Sequence, residues 1–173
     1  MQEQLKNLQL LVLDVDGVLT DGKLYYTADG ETQKVFDVKD GLGIKLALKE
    51  ISVAILSGNP SPVIEKRAKD LGVRHCFVGI ANKKDVLENL MKELTLTKKE
   101  VAYIGDDLND LVVREIVGCF VCPVDAHKII LEKSDLVLSR KGGSGAVREF
   151  IDMLLDAKGS SSKFSFGVKE KNT

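Results

Sequence analysis

Short runs rich in β-branched and other apolar residues recur along the chain: Leu10 to Val15, Ser52 to Leu56, Val101 to Ile104, Cys119 to Val124 and Leu136 to Leu138. A strand that reads as an unbroken apolar run has neither face in water. Strands of that kind alternating with helices form parallel sheets covered on both sides. The clearest intervening helix is Pro62 to Leu71, with proline at its start and Gly72 just past its end, as helix termini prefer. Similar amphipathic stretches cover about Leu42 to Lys49, Lys83 to Leu94, Asp110 to Val117 and Ala146 to Leu155. The pattern predicts an α/β fold, a three-layer doubly wound parallel sheet.

One segment breaks the alternation. Lys23 to Val38 has two β-rich arms around Asp29-Gly30, a strong hairpin signal, so a small β-hairpin flap is expected after the first strand. No other insertion is long enough for a cap domain. At 173 residues the chain suits one domain, expected over residues 1–158 with the flap at 23–38. The polar stretch from Gly159 to Thr173 reads as a mobile tail.

With 44% apolar and 29% charged residues the chain has the balance of a folding globular protein, which excludes disorder. Its net charge of -1 gives no bulk attraction for nucleic acid or anionic membranes, so neither is expected as a partner. Residues Met1 to Gln9 are polar, unlike a secretory signal, and no apolar run approaches the roughly 20 residues that span a bilayer. A cytoplasmic location is the expectation. An odd count of cysteines, Cys76, Cys119 and Cys122, argues against a disulfide framework. Cys119 and Cys122 form a C-x-x-C without a second pair, inside an apolar run, and read as core rather than as a zinc or redox site.

The chemistry begins where strands end. Leu11-Val-Leu-Asp14-Val-Asp16 closes one apolar strand with two carboxylates, and Val101-Ala-Tyr-Ile-Gly105-Asp106-Asp107-Leu-Asn109-Asp110 closes another with three. Ligands of open parallel sheets bind beyond the carboxyl ends of the strands. If the two strands are neighbours, five aspartates crowd one rim, and their mutual repulsion calls for a divalent cation with oxygen ligands. Ser57-Gly58, after the strand Ser52 to Leu56, offers a hydroxyl and a backbone N–H to a phosphate, and Lys83 at a helix start offers an ammonium. Taken singly these have bland readings: Ser57 as a helix cap, Lys83 as a solvated face. His75 and His127 lie near no motif strand end and are assigned to structure or solvent.

The order Asp14-x-Asp16, Ser57, Lys83, Gly105-Asp106-Asp107-x-x-Asp110 resembles the four motifs of haloacid dehalogenase superfamily phosphatases. Asp14 to Gly22, Val38 to Ile44, Asn82-Lys83, Gly105 to Asp110 and Gly142 to Glu149 are similar to the capless 3-deoxy-D-manno-octulosonate 8-phosphate phosphatase family, over about Leu10 to Leu155. The resemblance implies a Mg2+-dependent hydrolase of a small sugar acid phosphate, in lipopolysaccharide biosynthesis, working through an aspartyl-phosphate. It implies Asp14 as nucleophile and Asp16 as general acid and base. Magnesium would be held by the Asp14 side chain, the Asp16 backbone carbonyl and Asp106. Ser57, Gly58 and Lys83 would bind the phosphoryl group, and Asp107 and Asp110 would orient metal waters and Lys83. Lys39, Asp40, Gly41, Lys45, Asn59 and Arg67 would lie around the substrate, and Gly142 to Gly145, otherwise a loop and cap, near the active site.

The resemblance also implies a homotetramer, with a neighbouring subunit covering each open site. Leu24, Tyr25, Tyr26 and Phe36 on the flap would serve that interface or form a small satellite core. One position departs from the family. The residue after Ser57-Gly58 is typically arginine and here is Asn59, which brings in nonulosonate 9-phosphates of the sialic acid type as an alternative substrate. A non-catalytic phosphatase-like domain associated with a sugar nucleotidyltransferase is the reading from another class.

Overall fold

The computed structural model describes residues 1–161, apart from the side chains of residues 31 and 32. The chain runs α1 (Gln2–Asn7), β1 (Leu10–Leu13), β2 (Tyr25–Thr27), β3 (Gly30–Gln33), α2 (Val38–Ala47), β4 (Ser52–Leu56), α3 (Pro62–Leu71) and β5 (His75–Phe77). It continues through α4 (Lys83–Glu93), β6 (Val101–Ile104), β7 (Cys119–Cys122), α5 (Lys128–Lys133), β8 (Leu136–Val137) and α6 (Ala146–Ala157). Single 3-10 segments cover Lys98–Glu100 and Leu108–Val113.

Successive strand residues face opposite sides of a sheet, and here both sides are apolar. Leu11, Leu13, Val53, Ile55, Ala102, Ile104, Cys119 and Val121 pack on one side against Leu5, Ile44, Ile64, Phe150 and Ile151 of α1, α2, α3 and α6. Leu10, Val12, Ala54, Leu56, Val101, Tyr103, Phe120 and Cys122 face the other way, against Leu87 and Leu90 of α4 and Ile130 of α5. This is the predicted three-layer α/β architecture. The six strands are parallel in the order β5-β4-β1-β6-β7-β8. From β1 the chain builds outward through β4 and β5, then returns to β6 and builds the other way. The order therefore reverses between β1 and β6, where open α/β sheets leave a crevice. Leu13 and Ile104 are partners across that boundary, so the residues after them emerge together.

Several local expectations are corrected. The helix expected over Asp110 to Val117 is a 3-10 segment, because the Asp110 carboxylate turns back to accept from the N–H groups of Asp106 and Asp107. Helix α2 begins at Val38 rather than Leu42, since the Asp37 side chain accepts from the N–H groups of Lys39 and Asp40 as an N-cap. Pairing of Thr27 with Gly30 makes Ala28-Asp29 the two central residues of the hairpin turn, not Asp29-Gly30. Elements α1, β5 and α5 were not anticipated: each is short, and β5 is an edge strand only half buried. Phe36 packs against the main core, whereas Leu24 and Tyr26 stand in solvent at 54% and 67% exposure, so among the described residues the flap builds no satellite core. Cys119 and Cys122 are buried on opposite sides of the sheet and do not share a ligand. Of the tail, only residues 159–161 fall within the described residues. No described helix is long and apolar enough to cross a membrane.

Candidate active site

Strand β1 delivers Asp14 and strand β6 delivers Asp106 to the same rim, with the Asp14 N–H donating to the Ile104 carbonyl at 3.0 Å. Carboxylate oxygens of Asp14, Asp106 and Asp110 lie within 4.8 Å of one another. The repulsion expected of that crowding is partly offset by Lys83, the first residue of α4, which Asn82 caps by accepting from the N–H groups of Lys84 and Asp85. The Lys83 ammonium is buried and bridges Asp14 Oδ1 at 3.0 Å and Asp110 Oδ1 at 2.7 Å. Burial works against its charge, but Asp14 and Asp110 outweigh that and hold its pKa above the ordinary lysine value.

Asp110 is fully committed within the protein. Its Oδ1 accepts from Lys83 and from the Tyr103 hydroxyl at 2.6 Å, and its Oδ2 from the Asp106 and Asp107 N–H groups. Asp110 is therefore an internal anchor within the same carboxylate cluster. Asp106 differs: its Oδ1 is buried with no hydrogen-bond partner. Burial first, and then the charges of Asp14, Asp110 and Asp107, push the Asp106 carboxyl up to about 8. Burial and Asp110 push Asp14 up to about 7 against the pull of Lys83. Two adjacent carboxyls held that far above their usual range, one of them with an orphaned buried oxygen, fit a divalent cation with oxygen ligands.

A cavity of about 490 Å³ opens over this cluster, lined by Asp14, Asp16, Gly22, Ser57, Gly58, Asn59, Asp106, Asp107, Leu108 and Asn109. Its size suits a small organic ligand. Ser57 is buried at the end of β4, and its hydroxyl accepts from the Asn59 N–H at 3.1 Å. Asn59 Oδ1 accepts from the Ser61 N–H at 2.9 Å, so its acceptor is spent on the turn into α3. Asp107 is an N-cap, accepting from the Leu108 N–H.

The structure thus brings Asp14, Asp16, Ser57, Gly58, Lys83, Asp106, Asp107, Asp110 and Asn59 to one place. The other residues expected around substrate stand elsewhere in the single chain. Asp40 is buried and accepts from the Gly145 and Arg148 N–H groups at the start of α6. Lys39 lines a second cavity with Arg140 and Arg148, and Lys45 is exposed on α2. The Arg67 guanidinium lies over the Phe36 ring, its Nη2 donating to the Asp37 carbonyl, and it fills the space where a Cβ on Gly41 would go.

Some residues around the site were not foreseen. Tyr103 is one, although a hydroxyl inside an apolar strand signals a buried acceptor. Gly17 is another: at φ +84° it brings its backbone so close that a Cβ would sit 1.9 Å from Asp106 Oδ2. Gly142 and Gly143 press on the same loop, with the Gly143 N–H donating to the Val18 carbonyl, so this stretch buttresses the loop that follows Asp14. The His127 N–H donates to the Asp106 carbonyl at 2.8 Å, which places its backbone beside the motif after all, while its ring caps α5. Lys34, from the flap, pairs with Asp16.

Known proteins share this sequence pattern and fold. Two family profiles, both of haloacid dehalogenase-like hydrolases, match residues 37–113 and 78–151. The 3-deoxy-D-manno-octulosonate 8-phosphate phosphatase KdsC of Haemophilus influenzae is 46% identical over 165 residues, which is 95% of this chain and 92% of that protein. The cobalt-bound structure of the Haemophilus influenzae phosphatase superposes with a TM-score of 0.90 at 45% identity, covering 94% of this chain and 95% of that one. The Moraxella catarrhalis phosphatase, solved with magnesium ion, phosphate ion and KDO, gives 0.90 at 35% identity, covering 94% of each chain. At this identity over nearly its whole described length, the chain belongs to the 3-deoxy-D-manno-octulosonate 8-phosphate phosphatase family of haloacid dehalogenase-like hydrolases.

Proposed function

We propose that this chain is a magnesium-dependent phosphomonoesterase that hydrolyses 3-deoxy-D-manno-octulosonate 8-phosphate to the sugar acid and inorganic phosphate. The observation that carries the reading is the set of Asp14, Asp106 and Lys83 at the β1/β6 crevice, with Asp106 Oδ1 buried and unpartnered. The Asp14 carboxylate attacks phosphorus in line as the ester P–O bond breaks, giving an aspartyl-phosphate. Asp16 gives its proton to the departing sugar oxygen. It then takes one from the water that attacks the aspartyl-phosphate, releasing phosphate and restoring Asp14. Ser57, Gly58 and Lys83 hold the phosphoryl oxygens, whose charge grows as the bonds loosen. Asp110 keeps Lys83 aimed at them, and Asp107 fixes the loop that carries Asp106. Magnesium would be held by the Asp14 side chain, the Asp16 carbonyl and Asp106, and supplies positive charge that offsets carboxylate–phosphate repulsion. The test is phosphate release from octulosonate 8-phosphate, nonulosonate 9-phosphate and p-nitrophenyl phosphate. No release from any of them would leave only a non-catalytic domain.

Asn59 favours a second substrate reading. Arginine there would offer a charged fork to a sugar acid, whereas Asn59 offers a neutral amide whose oxygen is already engaged by Ser61. Charge-assisted contacts are worth about 1.5–3 kcal/mol, so Asn59→Arg is expected to raise kcat/KM for octulosonate 8-phosphate by about 10- to 150-fold, mainly through KM. Steady-state kinetics on both sugars check this. A tenfold or greater preference of the unaltered enzyme for the nine-carbon phosphate would transfer the assignment to the sialic acid type.

The open cavity and the exposed Leu24, Tyr26, Val35, Val38 and Leu42 support a homotetramer in which a neighbour covers each site. Such an arrangement would also give Lys39, Lys45 and Arg67 a route to substrate that the single chain does not provide. Light scattering is expected to give about four times the chain mass, with Tyr26→Glu lowering both assembly and activity; a fully active monomer would refute it.

A further inference from the structure

The flap holds a buried charge aimed into the site. Lys34 lies one residue past β3, and its side chain is 1% exposed although Gln33 and Val35 beside it are in solvent. An ammonium is buried at a cost unless an acceptor meets it. Here Asp16 Oδ1 does so at 2.6 Å, and the Asp16 side chain stays 29% exposed at the cavity. Asp16 itself sits in the turn after β1, whose backbone is held by the Val18, Leu19 and Thr20 N–H groups donating to the Val15 carbonyl, so what is left to fix is the rotation of its carboxylate. A general acid is effective only when one particular oxygen faces the leaving atom.

We propose that Lys34 is the positioning residue for the acid and base Asp16. The ammonium occupies Oδ1, which leaves Oδ2 as the oxygen that carries the proton. During cleavage that proton moves from Oδ2 to the ester oxygen while Lys34 keeps all of its own. The hairpin is then part of the catalytic apparatus as well as a cover, because β2 and β3 set where Lys34 stands. This rests on the reading of Asp16 as acid and base.

The experiment uses the full chain with magnesium and measures kcat/KM, which reports steps through the first P–O cleavage, for p-nitrophenyl, phenyl and n-propyl phosphates. These carry no sugar and differ in how much the leaving oxygen needs a proton. Asp16→Asn is expected to penalise the propyl ester over the p-nitrophenyl ester by about 10²- to 10⁴-fold. Lys34→Met should shift the same ratio the same way by about 10- to 100-fold, and Lys34→Arg should restore most of it. An equal loss across the series in Lys34→Met would make Lys34 a structural tether and overturn the proposal. So would a loss confined to the sugar phosphate, which would make it a substrate ligand. If Asp16→Asn shows no leaving-group dependence, the acid and base reading itself fails and the proposal falls with it. Should Lys34→Met not fold, Lys34→Gln, which keeps a donor without the charge, is read on the same series and must shift the ratio.

Discussion

Asp14→Asn is expected to abolish turnover while leaving the protein folded. The amide has nearly the same shape and its oxygen still accepts from Lys83, so the bridge from α4 to β1 and Asp110 is kept. What disappears is the second carboxylate oxygen and the charge that make the group a nucleophile. Residual activity above about one per cent, a loss of only about 2.7 kcal/mol, would remove Asp14 from that role. The same substitution makes a second, opposite prediction for stability. Burial and the charge of Asp110 raise Asp14 to about 7, and burial with the charges of Asp14, Asp110 and Asp107 raises Asp106 to about 8. Deleting one of those charges relieves the repulsion. In the absence of metal, Asp14→Asn should therefore melt at or above the temperature of the unaltered protein. Paired kinetics and thermal melts separate the two effects; a dead variant that also melts well below it would point to a damaged fold rather than a missing nucleophile.

The fold was legible where burial writes itself into composition. Leu11-Val-Leu and Val101-Ala-Tyr-Ile are apolar without a break because both sheet faces are covered, and the acids that follow mark the strand ends. The adjacency of those two strands was a condition in the sequence and became a fact only with the sheet order. The helix expected over Asp110 to Val117 failed because a pattern cannot show which way a side chain turns, and the Asp110 carboxylate turns back to its own backbone. Long-range partners were invisible for the same reason. Asp40 caps α6 from more than a hundred residues away, and Lys34 reaches Asp16 only because the hairpin returns it to the rim. Tyr103 and the cysteines could have been read by parity: residues 119 and 122 are an odd number apart, so a strand sends them to opposite faces.

Removal of divalent cations is expected to silence the enzyme completely, and magnesium to restore it where calcium does not. Both oxygens of Asp110 are taken by Lys83, Tyr103 and two backbone N–H groups, so it has none to give. The ion would then rest on Asp14, Asp106 and the Asp16 carbonyl, with water and substrate to complete its coordination. A small octahedral ion that keeps several waters suits such a sparse set, whereas calcium seeks 6–8 oxygens at longer distances. Calcium would take both oxygens of a carboxylate where it can, and Asp14 must keep one free to attack phosphorus in line. Binding should also be visible without turnover. An ion that satisfies Asp106 Oδ1 and lets two buried carboxyls ionise stabilises the folded state, so the melting temperature should climb with magnesium concentration. Calcium should raise it as well while leaving phosphate release near background, which separates holding the ion from using it. Asp106→Asn should blunt the thermal shift with either ion. Equal rates with magnesium and calcium, or full activity after exhaustive chelation, would show that the carboxylate pair at the β1/β6 crevice serves something other than a catalytic cation.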